Sequence, residues 1–247
     1  MKNLLLFLII SVSSVFSYSQ NIFTLIENND YNRVKEYNKS LNIYNSDQTT
    51  PLMWAIYKSD IKMVKLLVSK GADPKMKSFL KDGNYLSGSN LVLAAWTGKE
   101  DILKYLLKKK YFTVDECEYE YYNREVKDGW NALHTAVYNN DTTIIRFLIK
   151  QGADINYLSE VDANKTPLLN AIRYDKIEAA VELIKLGADV NIRDEYYDSA
   201  MSIALEAGNR MLAKMIYNNG FKFTEKRKGK YLEAIKKMFN VDSFEML

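Results

Sequence analysis

Cysteine and histidine each occur once in the 247 residues, and proline only three times. One Cys closes no intrachain disulfide, and one Cys with one His falls short of the three or four soft ligands of a zinc site. Disulfide-stapled and zinc-stapled folds are therefore excluded. An excess of charge of one sign is also missing. Lys and Arg number 34 against 31 Asp and Glu, a formal +3 that is too weak for a general nucleic-acid binder without a concentrated basic face. No phosphate loop, zinc-protease helix, nucleophile elbow, paired-cysteine motif or dinucleotide glycine motif occurs, so no common enzyme chemistry and no cofactor site are signalled. Cys117 lies within Asp115-Glu116-Cys117-Glu118, where neighbouring carboxylates disfavour the thiolate that a nucleophile needs. What remains is 47% hydrophobic and 26% charged, enough apolar content for a real core.

The first apolar run is Leu4 to Ile10, behind Lys2, with Ser residues from position 11 and Ser17-Tyr18-Ser19 before Gln20. A basic start, a short apolar stretch and small residues at the inspected positions predict a signal peptide over 1–19, cleaved after Ser19. An uncleaved anchor would need roughly 20 apolar residues. Residues 20–247 are then expected to act outside the cytoplasm, in a bacterial periplasm or the medium, with no integral membrane span after cleavage.

The rest of the chain is internally repetitive. Thr50-Pro51-Leu52-Met53-Trp54-Ala55 is echoed by Thr166-Pro167-Leu168-Leu169-Asn170-Ala171, and more weakly from Ser89, Asn131 and Ser199. A second mark, Gly-Ala-Asp at Gly71, Gly152 and Gly187 with Gly220 alone, follows the first by 21 residues in four copies. Between the two marks apolar residues recur at four slots, such as Ile144, Ile145, Leu148 and Ile149, which is one face of a helix. No single helix pair can bury such faces alone, so the copies must stack.

These marks resemble the ankyrin repeat family, whose 33-residue unit carries a T-P-L-H-x-A signature and ends its second helix in a Gly turn. The resemblance spans roughly residues 20–224 and implies an all-α helical repeat solenoid with short hairpin turns. About six repeats start near 20, 50, 89, 131, 166 and 199. An amphipathic stretch over 230–239 is expected to close the stack as a capping helix, and the degenerate first repeat to cap the other end. In the third repeat Lys110-Tyr111-Phe112 replaces Gly-Ala-Asp, so its terminal turn is expected to depart from the family shape. Extra residues fall near 78–88 and 114–127, where repeat arrays carry loops. The resemblance gives His134, in the signature's His slot, a structural role.

The same resemblance implies that partners meet the hairpin tips and the residues just after the Ala pair of each first helix. Those residues include Tyr57, Trp96 and Tyr138, then Arg173 beside Tyr174, types that dominate interface hot spots. Trp130 is expected at a hairpin tip. The insert carrying Tyr119, Tyr121 and Tyr122 among acids is a second candidate, suited to a basic partner. The competing reading is that these rings only cover helices or pack between repeats. The function expected is a monomeric, non-catalytic module binding an unidentified protein, with no nucleic acid and no cofactor. Glycan binding by the aromatic groove is the alternative, and an enzyme of unknown class a third.

Overall fold

A computed structural model of the chain describes residues 21–77, 89–122, 125–223 and 225–239. The expected signal peptide and the insert at 78–88 lie outside these residues. Contacts divide the chain into two units, up to Met76 and from Lys77. The first holds helices α1 (Ile22–Glu27), α2 (Tyr31–Glu36), α3 (Pro51–Tyr57) and α4 (Ile61–Ser69). In the second, α5 (Asn90–Trp96) and α6 (Glu100–Lys108) lead into strands β1 (Cys117–Tyr122) and β2 (Glu125–Asn131). There follow α7 (Ala132–Tyr138), α8 (Thr142–Lys150), α9 (Pro167–Arg173), α10 (Ile177–Lys185), α11 (Ala200–Glu206), α12 (Arg210–Asn218) and α13 (Glu225–Phe239).

The residue that opens each first mark is a helix cap. Thr50, Ser89, Asn131, Thr166 and Ser199 are buried, and each side chain accepts the backbone N–H three residues on, satisfying a donor that the helix leaves over. Pro51 and Pro167 follow at the first helical position, where a missing N–H costs nothing. Second helices are capped likewise by Asp30, Asp60, Asp141 and Asn209.

Of the four apolar slots in each second helix from the second repeat onward, the first three are buried, as at Ile144, Ile145 and Leu148. The fourth is half-buried except at Ile184. In the second unit α5, α7, α9 and α11 pack in succession as one layer, while α8, α10 and α12 form another. In the first unit α1 packs on α3 and α2 on α4.

The turns after α4, α8 and α10 are each closed by two backbone hydrogen bonds. At Gly152 they run from Gly152 N–H to Ile149 O, 3.0 Å, and from Ala153 N–H to Leu148 O, 3.1 Å. The glycines there adopt φ between 85° and 95°, a region that favours residues without a Cβ. Contrary to the sequence expectation, the third repeat keeps this turn. Lys110 N–H bonds Leu107 O at 2.9 Å, and Tyr111 N–H bonds Leu106 O at 3.4 Å. Lys110 sits at φ 56°, in the part of left-handed space that a Cβ tolerates, and the second bond lengthens in exchange.

Neighbouring repeats are tied by a ladder of side chains after these turns. Asn156 accepts from Asp189 N–H, 2.9 Å; Asn191 accepts from Lys222 N–H, 2.6 Å, and donates to Gly220 O, 3.2 Å. Asn42 does the same for Asp73 N–H and Gly71 O within the first unit. In the third repeat Asp115 takes the role, receiving Asp154 N–H at 3.1 and 3.2 Å. Burial, chiefly, raises its carboxyl above the usual range.

The insert after α6 is an antiparallel β-hairpin, an element the helical pattern did not anticipate. Tyr119 pairs with Asp128, Glu120 with Lys127, Tyr121 with Val126 and Tyr122 with Glu125; an irregularity between Cys117 and Tyr119 inserts an extra residue near Gly129 and Trp130. Tyr-rich alternation favours strand over helix. At the far end α13 starts at Glu225, earlier than expected, and lies against α11, where the Tyr231 hydroxyl meets Ser199 Oγ at 3.1 Å. Phe221, Phe223 and Tyr231 pack edge to face and tilted beneath it.

Candidate functional site

The ends of α5, α7 and α9 place one aromatic residue each on the same side of the second unit. Trp96 is 41% exposed, Tyr138 37% and Tyr174 39%. Trp96 stacks on Tyr138 at 6.0 Å between centroids with planes 21° apart. Tyr174 turns its edge to Tyr138 at 5.6 Å. Lys176 Nζ lies 5.1 Å from the Tyr138 centroid, a cation over a π-face. Asn139 donates to Trp96 O, 2.9 Å, fixing the two repeats in register.

Trp130 joins this cluster from the base of the hairpin rather than standing at a tip. It is half-buried, stacked on His134 at 6.2 Å and set against Tyr138 at 5.5 Å and Tyr174 at 6.0 Å. Its indole N–H donates to Asp162 at 3.3 Å, and Asp162 is paired in turn with Lys165. Tyr157 closes the inner edge, 6.0 Å from His134.

His134 lies beneath, 1% exposed. Its Nδ1 is 2.9 Å from Asn131 Oδ1 and its Nε2 3.3 Å from the Lys165 carbonyl, which opens the next repeat. Burial drives its pKa down to about 4, against the pull of the Lys165 carbonyl and of Asp162. The ring is therefore neutral at pH 7, with one N–H to share between two acceptors. The ring thus bridges two neighbouring repeats.

Other candidates fall elsewhere. Tyr57, 53% exposed and stacked on Trp54 at 5.6 Å, belongs to the first unit. There Lys58 and the Trp54 indole hold Glu27, lowering its carboxyl pKa. Arg173 turns away from the rings, its guanidinium 2.8 Å from Asp198 and 3.6 Å from the buried Asp194. Tyr119, Tyr121 and Tyr122 lie on β1, and their side chains are outside the described positions. Sequence reading passed over Tyr196 and Tyr197, 70% and 68% exposed at the tip closed by the Arg193–Ser199 bridge. Two tyrosines between Asp194-Glu195 and Asp198 were the available signal. Among the described residues no three His, Cys, Asp or Glu side chains gather as a metal site would require, and no helix is long and apolar enough to cross a membrane.

Models of the ankyrin repeat match residues 47–78 and 164–195, and a model of three consecutive copies matches 80–159. The chain belongs to the ankyrin repeat family. It is similar to a putative ankyrin repeat protein of Acanthamoeba polyphaga mimivirus, 36% identical over 31% of this chain and 49% of that one. It is also similar to the B-cell lymphoma 3 protein homolog of Mus musculus, 26% identical over 74% of this chain and 38% of that one. Alpha-latrocrustotoxin-Lt1a of Latrodectus tredecimguttatus matches at 28% identity over half of this chain and 8% of its own. The chain thus spans half or less of the length of these relatives. The crystal structure of the Bcl-3 ankyrin repeat domain superposes with a TM-score of 0.66 at 22% identity, covering 83% of this chain and 88% of that one, which establishes the all-helical repeat fold.

Proposed function

We propose that this ankyrin repeat chain is a non-catalytic module that binds a protein partner through the side of the second unit formed by α5, α7 and α9, with Trp96, Tyr138 and Tyr174 as anchors and Trp130 as their buttress. The observation that carries this reading is the exposure of three aromatic residues from successive repeats in one continuous, mutually packed cluster. A monomer that exposes such a cluster gains nothing by it, whereas an interface gains most from rigid rings that need little further ordering. Ankyrin repeats are protein-interaction modules, in keeping with this. Tyr57, at the equivalent slot of the second repeat, is a separate proposed contact on the first unit. The hairpin tyrosines Tyr119, Tyr121 and Tyr122 form a second proposed contact, for a basic partner.

Glycan binding is less well supported by the geometry. Sugar rings lie flat on open aromatic faces, but Tyr138 carries Trp96 stacked on it and Lys176 over it, and Trp130 is stacked on His134. Each of these rings thus has a face covered within the chain. The edges and hydroxyls that remain suit the carbonyls of a polypeptide.

The module is further proposed to act outside the cytoplasm of a bacterium after cleavage following Ser19. That part rests on the order of Lys2, the apolar run and Ser17-Tyr18-Ser19. One capture experiment with the chain from Gln20, on envelope and culture fractions before and after protease treatment, tests the reading. A partner lost after proteolysis is expected; one that survives it is a glycan and contradicts the proposal. Amino-terminal sequencing of the protein recovered from cells should begin at Gln20, and an intact Met1 would contradict the cleavage on which the exported location rests.

A further inference from the structure

The second helices do not stack evenly. From α8 to α12 they pack as one layer, but α6 packs less closely on α8, and a cavity of about 550 Å³ opens there. Its floor is apolar: Leu107 from α6, Phe112 and Val114 from the turn that follows, and Phe147 from α8, with both phenylalanines buried. Lys104 and Lys108, exposed on α6, stand at its rim, and among the described residues no carboxylate lines it.

The next pair of second helices shows what is missing. There Arg146 on α8 meets Glu182 on α10 at 3.1 Å, an ion pair from one repeat to the next. Lys104 holds the position of Arg146, two residues beyond the first buried slot of its helix, and Phe147 holds that of Glu182, three residues beyond. The Lys104 ammonium therefore meets a ring across the gap, 5.6 Å from the Phe147 centroid, instead of a carboxylate. Phe112 replaces a second acid. By the hydrogen bonds of its turn it stands where Asp73, Asp154 and Asp189 follow Gly-Ala. Within α6 Lys104 pairs with Glu100 at 2.6 Å, but an exposed pair of this kind contributes little, so a partner carboxylate displaces it at small cost. Two acids have become phenylalanines here, while the cations have stayed.

We infer that this groove, built on helices other than those of the aromatic face, binds an acidic segment of a polypeptide, with an apolar side chain set on Phe112 and Phe147 and carboxylates on Lys104 and Lys108. The two lysines are one helical turn apart, about 6 Å along the axis, and so receive two carboxylates at once. A polypeptide supplies two at that spacing, four residues apart on a helix or two apart on a strand. A fatty acid supplies one. Burial of the apolar anchor gives the affinity, and the charge pairs select the partner.

The test uses the chain from Gln20 and the fluorescence anisotropy of a labelled peptide, acetyl-Glu-Glu-Phe-Leu-Glu-Glu amide, in which acids four residues apart flank an apolar pair. Comparison peptides carry Gln for every Glu, or Ala for Phe and Leu, and decanoate serves as the lipid competitor. The acidic peptide is expected to bind, less tightly as salt is raised, and at least tenfold more tightly than either comparison peptide. Lys104→Gln combined with Lys108→Gln alters only exposed side chains, so the thermal midpoint should stay within about 2 °C of wild type while affinity for the peptide falls at least tenfold. Phe147→Glu, which restores here the carboxylate that Glu182 supplies to the next interface, should also lose the peptide, and Trp96→Ala should keep it. No binding of the acidic peptide, equal binding of either comparison peptide, or undiminished binding by the lysine variant overturns the inference. Tighter binding of decanoate than of the peptide would make the groove a lipid site, and loss of the peptide in Trp96→Ala alone would place its site on the aromatic face; either result also overturns it.

Discussion

His134 is held neutral by burial, and this gives the stability of the domain a particular pH dependence. In the unfolded chain an imidazole takes up its proton near pH 6.5, and in the folded chain only near pH 4. The stability linked to this ring is therefore fully present above about pH 6.5 and is lost as the pH falls towards 4, by about 2–3 kcal/mol at pH 4.5. Urea midpoints at pH 7 and 4.5 for wild type and His134→Gln check it: the variant should lose that much less over the interval, and parallel losses would refute the assignment. A second contrast sits in the turns. Gly152, at φ 92° with open space around the Cβ position, should lose about 1 kcal/mol on Gly152→Ala from backbone conformation alone. Lys110→Ala, at φ 56° in a turn that already carries a Cβ, should cost less than about 0.5 kcal/mol. Equal costs would show that the two turns are not held differently.

Between elements, the ladder of Asn42, Asp115, Asn156 and Asn191 joins the first repeat to the second, and the third through the sixth in succession, by hydrogen bonds from backbone N–H to side chain. Asn191→Ala removes two such bonds, to Lys222 and Gly220, and should cost about 1–2 kcal/mol in urea unfolding; an unchanged midpoint would make the ladder ornamental. Much of this scale was legible in the sequence. Thr, Ser and Asn at the start of each first mark are caps because their side chains can serve a helix's spare N–H. The 21-residue spacing to Gly reflects two helices of fixed length with a left-handed turn after them. What was not legible came from pairings that sequence distance hides. Arg173 was assigned to the aromatic face, yet Asp198, 25 residues on, draws it aside, and only the register of the intervening hairpin could reveal that. Trp130 was expected at a hairpin tip. Strand pairing with Cys117 at Asn131 instead brings the end of β2 back to α7 and lays Trp130 on His134.

Across the whole molecule, the repeats supply rigid helices whose ends carry variable residues, and the second unit spends those positions on Trp96, Tyr138 and Tyr174. Fold alone names no partner for such an array. The third repeat, which supplies Trp96 and Trp130, also departs from the repeat pattern, with an Asp in place of Asn at 115 and a hairpin where other repeats have a short turn. The measurement that bears on this most directly is a binding titration of the captured partner against wild type and a Trp96→Ala, Tyr138→Ala variant whose thermal unfolding shows it to be folded. If the exposed rings are the anchors, the variant should bind at least about 30-fold more weakly, the equivalent of one hot spot of roughly 2 kcal/mol. Equal affinity in the two proteins would show that the cluster is packing and that the partner is bound elsewhere.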